Sequence, residues 1–215
     1  MAARAPLLVI ACGALAREIM AVTRASGLDG IKVECLPAKL HNTPSLITAA
    51  VRAKIRKGRE RFERIFVLYG DCGTGGELDA MLAEEAVERI EGAHCYEFFA
   101  GSPNFAALAE EEPCSFYLTD FLVRHFERLV IEGLGIDRHP ELLPLYFGNY
   151  KRLVYLAQTR SPELLEAARA AAAKLGLAFE LRETGYGDLE QALVRLGDAA
   201  PGVAREPAKA GIAAG

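Results

Sequence analysis

The chain has 215 residues, 51% of them hydrophobic, with 25 Lys and Arg against 29 Asp and Glu for a formal net charge of −4. That length suits one domain, or two small lobes sharing an interface, with enough apolar residues for a core. The acidic balance argues against a nucleic-acid partner. No apolar run reaches the roughly 18 residues of a membrane helix, so a cytoplasmic protein is expected.

Residues 7–11, Leu-Leu-Val-Ile-Ala, are a continuous apolar run, which predicts a strand covered on both faces. Val9-Ile10-Ala11-Cys12 has the form of a lipoprotein cleavage box. A signal core needs roughly 7 to 15 apolar residues, and only the few from Ala5 to Ile10 precede it, so the run reads as the first strand. Cys12-Gly13 turns into a helix carrying Leu15, Ile19, Met20 and Val22, which Gly27 stops. A second strand follows at 31–36, then a loop at 37–44 and a helix with Ile47, Val51 and Ile55. The basic run from Arg52 to Arg61 falls at the end of that helix, where cations suit the dipole.

The third strand is expected at 64–69 and a helix at 77–85, with Leu78, Met81 and Leu82 on one face. A short strand at 87–93 leads to His94-Cys95-Tyr96. Helix 104–112, strand 115–118 and an amphipathic helix over 121–134 come next, then an aromatic, partly helical stretch at 140–150. Strand 152–156, helix 162–175, strand 178–183 and helix 189–196 complete the order. The Ala-, Gly- and Pro-rich tail that begins at Gly197 is expected to be disordered through 199–215.

Residues 7–36 and 153–181 each read strand, helix, strand. The fold class is therefore α/β, a mostly parallel sheet flanked by helices. Residues 1–198 form a single α/β domain in this reading, compatible with two Rossmann-like βαβ lobes at about 6–100 and 101–198.

Two features carry candidate chemistry. The first is Gly70-Asp71-Cys72-Gly73-Thr74-Gly75-Gly76, a Gly-rich turn between a strand and a helix. Such a layout lets backbone approach a nucleoside, with Gly70, Gly73, Gly75 and Gly76 as cofactor-binding positions. S-adenosylmethionine methyltransferases have a comparable loop, but after their first strand rather than the third. An acid at the tip of the next strand is also replaced here by Ala93-His94-Cys95. Gly-Lys-Ser/Thr occurs nowhere, so a Walker A loop is excluded.

The second feature is where the soft ligands fall. Cys12, Cys72 and Cys95 end three expected strands, His41 follows another, and His94 adjoins Cys95. Parallel α/β sheets bind ligands at the carboxyl edge of their strands, so one edge would receive three thiols and an imidazole. That donor set suits tetrahedral zinc or another thiophilic metal. Cys12 and Cys72 would also gain thiolate character from helix N-termini. Taken singly, each cysteine reads equally well as a small core residue. Cys35 and Cys114 are expected to pack, and His125 and His139 are not expected to ligate. Asp71 and Glu77 are the candidate acid/base pair, or acceptors supporting the ligands. Glu77 also suits the first turn of a helix.

Ala11-Cys12-Gly13, Leu40-His41-Asn42-Thr43-Pro44, Tyr69-Gly70-Asp71-Cys72-Gly73, His94-Cys95-Tyr96 and Phe116-Tyr117-Leu118-Thr119 together resemble a prokaryotic family known as a domain of unknown function, DUF1638. The resemblance spans residues 7–196. It implies cysteine at 12, 72 and 95 and a Leu-His pair at 40–41, with an acid often standing where His94 does. It also implies an association with corrinoid-dependent methyl transfer from methylamines and betaines, and so with one-carbon metabolism. The Asp-x-His-x-x-Gly pattern of corrinoid carriers is missing from the chain, which argues against a cobalamin-carrier role.

The leading expectation is a metal-binding protein, with zinc or another thiophilic metal as the ion, acting on a small-molecule substrate or with methyltransferase-system proteins. A metal-dependent transferase is one form of it. The alternatives are an S-adenosylmethionine-dependent enzyme using the Gly70–Gly76 loop, and a non-enzymatic accessory protein. A homodimer is the default assembly.

Overall fold

The structure, a computed structural model, describes residues 5–198. The tail expected to be disordered lies outside the described residues from 199 onward, whereas Gly197 and Asp198 belong to the last helix.

Strand β1 (Ala5–Cys12) is central in a four-stranded sheet. It pairs in parallel with β2 (Ile31–Leu36) on one side and β3 (Phe62–Leu68) on the other. Leu7 to Cys12 are fully buried, as a strand with helices on both faces requires. Helix α1 (Ala16–Ala25) makes the first crossover and α2 (Ile47–Gly58) the second. Helix α3 (Glu77–Glu84) leads to β4 (Glu88–Arg89), which adds a parallel edge to β3. β4 is two residues long, where a strand over 87–93 was expected. The chain leaves the ladder at Ile90 because Gly92, at φ 142°, turns it toward Cys95.

Helices α4 (Glu97–Ala100) and α5 (Ser102–Glu111) lead into a second parallel sheet. Its order is β5 (Ser115–Thr119), β6 (Arg152–Ala157), β7 (Ala178–Glu183). Helix α8 (Pro162–Leu175) crosses over between β6 and β7, capped by the Ser161 hydroxyl, which accepts from the Leu164 N–H. The α/β class with parallel sheets and flanking helices is thus the architecture formed.

The helix expected over 121–134 is not continuous. α6 (Asp120–Arg124) stops at His125, whose φ of −120° leaves the helical region, and residues 127–131 resume as a π-helical turn. That extra residue per turn keeps Val123, Phe126, Val130 and Ile131 all buried on the second core. Helix α7 (Leu143–Phe147) covers the same core with Phe147. The final helix, α9 (Gly187–Asp198), returns to the first sheet and packs on α1 and α4.

Candidate metal centre

The first sheet directs its carboxyl ends at one spot. β1 ends on Cys12, whose chain continues through a tight turn at Gly13; a Cβ there would meet the Leu36 carbonyl oxygen at 2.7 Å. This closeness draws the segment after β2 across the end of β1, and it carries His41 in a 3-10 turn, Ala38–Asn42. The His41 Nδ1 lies 3.8 Å from the Cys12 Sγ.

β3 is followed by Tyr69 and Gly70, and Gly70 is where two segments cross. A Cβ on it would sit 2.8 Å from the His94 carbonyl carbon and 2.9 Å from the Cys95 nitrogen. The Gly70 N–H points at the Cys95 Sγ at 3.4 Å. Asp71 and Cys72 donate their N–H groups to the Gly92 and Ala93 carbonyls, at 3.0 and 2.8 Å. Cys72 takes φ +50°, a left-handed conformation that costs an L residue about 1–2 kcal/mol and points to an imposed placement. Its sulfur ends 3.3 Å from the Cys95 sulfur.

Cys72, Cys95 and His41 therefore present ligand atoms all within 4.8 Å of one another, and this group can hold a metal ion. Cys12 stands against its His41 edge. Ligand atoms around tetrahedral zinc are about 3.3–3.8 Å apart, given bonds of about 2.0–2.3 Å. The Cys72–Cys95 sulfurs, at 3.3 Å, stand closer than the roughly 3.8 Å of two tetrahedral thiolates, and Cys12–His41, at 3.8 Å, slightly wider than the roughly 3.5 Å of a sulfur–nitrogen pair, so small side-chain shifts would seat an ion.

Protons in this cluster are shared unequally. Contact with Cys95, opposed by burial and helped by His41, brings the Cys72 thiol down to about 5. Cys12 is held well below the usual thiol range by Cys95 first, against burial, and then by His41. Cys95 is pushed well above it by Cys12 and Cys72, with burial adding to the effect. Burial works to lower the His41 pKa, but the Cys12 and Cys72 sulfurs outweigh it and lift the ring to about 10. Thiolate sulfur beside a cationic imidazole is an arrangement in which a metal ion can replace the proton.

Two residues that sequence reasoning did not select belong to the site. Tyr69 is fully buried, and among the described residues its hydroxyl has no hydrogen-bond partner. Burial first, then the neighbouring Cys12, Cys95 and Cys72 sulfurs, raise its ionisation above the ordinary phenol range. Its position at the end of β3, three residues before Cys72, was the available signal. Arg89 braces the frame. It donates from Nη1 to the carbonyls of Ile90, Gly92 and Tyr69, at 2.8, 3.2 and 3.4 Å, while Nε and Nη2 grip both Asp79 carboxylate oxygens.

The remaining candidates lie around this cluster. His94 stacks its ring on Tyr96, with centroids 4.9 Å apart, and is not in the close group. Asp71 turns its carboxylate into the Gly-rich loop, where it accepts from the Thr74 hydroxyl at 2.6 Å and from the Gly75 and Gly76 N–H groups at 3.1 and 2.9 Å. Gly73, Gly75 and Gly76 all have positive φ, and Gly76 is the N-cap of α3. Cys72 thus precedes the helix by a full loop rather than capping it. Glu77 is exposed in the first turn of α3. Cys35, expected to pack, is exposed, because β2 is the edge strand and its outer face is not covered. Cys114 is half-buried. His125 packs against Phe121 and His139 lies near Glu141, both away from the cluster.

The sequence profile of the family described as "Protein of unknown function (DUF1638)" matches residues 35–193, about three quarters of the chain. The chain belongs to the DUF1638 family. It also resembles an erythritol kinase of Brucella abortus (strain 2308), at 28% identity over 134 residues. That stretch is 61% of this chain and 24% of the kinase, so the chain spans about a quarter of the length of that relative. No solved structure matches the chain significantly.

Among its described residues, this DUF1638 chain has no helix long and apolar enough to cross a membrane.

Proposed function

We propose that this DUF1638 protein binds one thiophilic metal ion, zinc in the first instance, through Cys12, His41, Cys72 and Cys95. The supporting observation is the convergence of Cys72, Cys95 and His41 within 4.8 Å, with Cys12 beside them. The buried Tyr69 hydroxyl belongs to the same cluster, beside the Cys12 sulfur. Lewis-acid activation of a thiol or similar small substrate would use the fourth position, with His41, Cys72 and Cys95 holding the ion and Cys12, outside the close group, yielding its place. The protein's own groups set the site: Gly70 and Arg89 fix where the sulfurs stand, and His41 and Cys95 hold the exchangeable protons. The family resemblance supplies the setting, corrinoid-dependent methyl transfer in a reducing, cytoplasmic environment where the thiols stay free.

The Gly-rich loop has weaker support as an S-adenosylmethionine or phosphate site, because Asp71 already occupies the Gly75 and Gly76 N–H groups. A kinase activity like that of the erythritol enzyme draws no support from this loop either.

The test is metal analysis of anaerobically purified protein. One ion per chain is expected, and Cys72→Ser should remove it while leaving the circular dichroism of the fold in place. Metal-free wild-type protein after purification without chelator, and after zinc titration, would refute the proposal.

A further inference from the structure

Beside the sulfur cluster, elements of both sheets border a partly open cavity of about 270 Å³. His41, Cys95 and Tyr96 contribute from the first sheet's loops, and Phe116, Phe121 and Phe147 from the second. No Lys, Arg, Asp or Glu is among the lining residues; the polar ones are limited to His41, Asn42, Cys95, Thr119 and two tyrosines. We propose that this cavity binds a small, uncharged, mainly apolar organic molecule, with a soft thiol or thioether end at Cys95 and His41. The assignment rests on the metal reading for the soft end; the apolar class follows from the lining alone.

Charge decides the class. The charge on the His41 ring is answered by the Cys12 and Cys72 sulfurs, so an ionic ligand finds no free counter-charge, and phosphates, carboxylates and the charged ends of S-adenosylmethionine are poor occupants. Size narrows it further. An apolar cavity of about 150 Å³ takes benzene, so this one holds a ring with a short side chain. Such sites are apolar with a few placed polar groups, and here His41 and Cys95 are shared with the proposed metal site, while Tyr117 and Thr119 come from β5. The cavity also lies between elements of both sheets, which explains why a two-sheet chain is needed for a cluster drawn from one.

The test is calorimetric titration of the full chain, metal-free and zinc-loaded, with toluene, phenylmethanethiol, benzoate and benzyltrimethylammonium. Toluene should bind both forms, with benzoate and the ammonium ion about tenfold weaker or absent. On the zinc-loaded form, phenylmethanethiol should bind about tenfold more tightly than toluene. Leu122→Trp and Leu134→Trp each fill the cavity from a different element and should abolish toluene binding while zinc stoichiometry persists. Toluene binding without zinc uptake would refute the metal reading and sustain the apolar site. Zinc uptake without toluene binding, or tighter binding of either ion, would overturn the apolar site. Equal affinity for toluene and the thiol with zinc bound would overturn the assignment of the soft end.

Discussion

Gly70 shows how a single missing side chain builds the cluster. The segment carrying Cys95 crosses directly over it, and the three atoms a Cβ would meet are all backbone, at 2.8 to 3.0 Å. Backbone cannot rotate aside as a flexible side chain can. Gly70→Ala is therefore expected to push the Cys95 segment outward and cost about 1–3 kcal/mol, as overpacking does. Urea unfolding of metal-free protein measures the cost, and an unchanged midpoint would show that the crossing has slack. Cys72 is the complementary case, a residue with a Cβ held at φ +50° by N–H bonds to the neighbouring loop. The sulfur is placed where the local backbone preference alone would not put it.

At the scale of elements, the second sheet is tied together by one acid. Asp120 begins α6, is fully buried, and accepts from the Tyr155 hydroxyl at 2.7 Å, the Gln158 N–H at 3.0 Å and the Thr159 hydroxyl. Gln158 returns a bond, its Oε1 accepting from the Asp120 N–H at 2.8 Å. The carboxylate thus joins the end of β5 to the end of β6. Asp120→Ala leaves those donors unsatisfied and is expected to destabilise by about 3 kcal/mol. A loss under about 0.5 kcal/mol in denaturant unfolding would contradict the role. Between α2 and α3 the polar contacts are of another kind. Arg52, Arg56 and Arg59 meet Glu84 and Glu85 at the surface, where exposed ion pairs contribute about 0–1 kcal/mol each. The basic run read from the sequence is answered by acids on the next helix.

Across the whole molecule, the two sheets meet along aromatic and acidic contacts. Tyr96 stacks on Tyr117 with centroids 5.5 Å apart, and Asp188 of α9 accepts from the Ser102 N–H at 3.0 Å. Gly187, at φ +49°, lets α9 start against the Phe98 and Phe99 carbonyls, and Leu189 and Leu193 then bury fully in the first core. Glu18 of α1 is buried near this junction with one carboxylate oxygen unpartnered among the described residues. Burial raises its pKa, Asp120 adds to the rise, and Arg124 and Arg17 offset part of it. Tyr186 also lies within electrostatic reach. A carboxyl with a raised folded-state pKa contributes stability that is full below its unfolded value and lost as pH rises through the folded one. Stability should thus decline above about 4.5 on account of this group. Glu18→Gln should remove that decline and stabilise the protein at neutral pH. Thermal melting across the acid range checks this, and parallel curves for the two proteins would refute it.

The continuous apolar run at 7–11 and the apolar residues 153–156 of the strand expected at 152–156 were legible because strands covered on both faces must be apolar there. Parallel topology followed from strand–helix alternation, and with it the place of Cys12 at the end of β1; Cys72 and Cys95, expected to end strands too, stand in the loops after β3 and β4. These are properties of local pattern, carried by the residues themselves. The distances among those sulfurs, the burial of the Tyr69 hydroxyl and the cavity between the sheets depend on segments far apart in the chain. So does the break at His125, where covering the second core overrides the helical periodicity of 121–134. Only tertiary packing, within each sheet's layers and between the two, decides them, since periodicity reports which face of an element is buried and not what it is buried against.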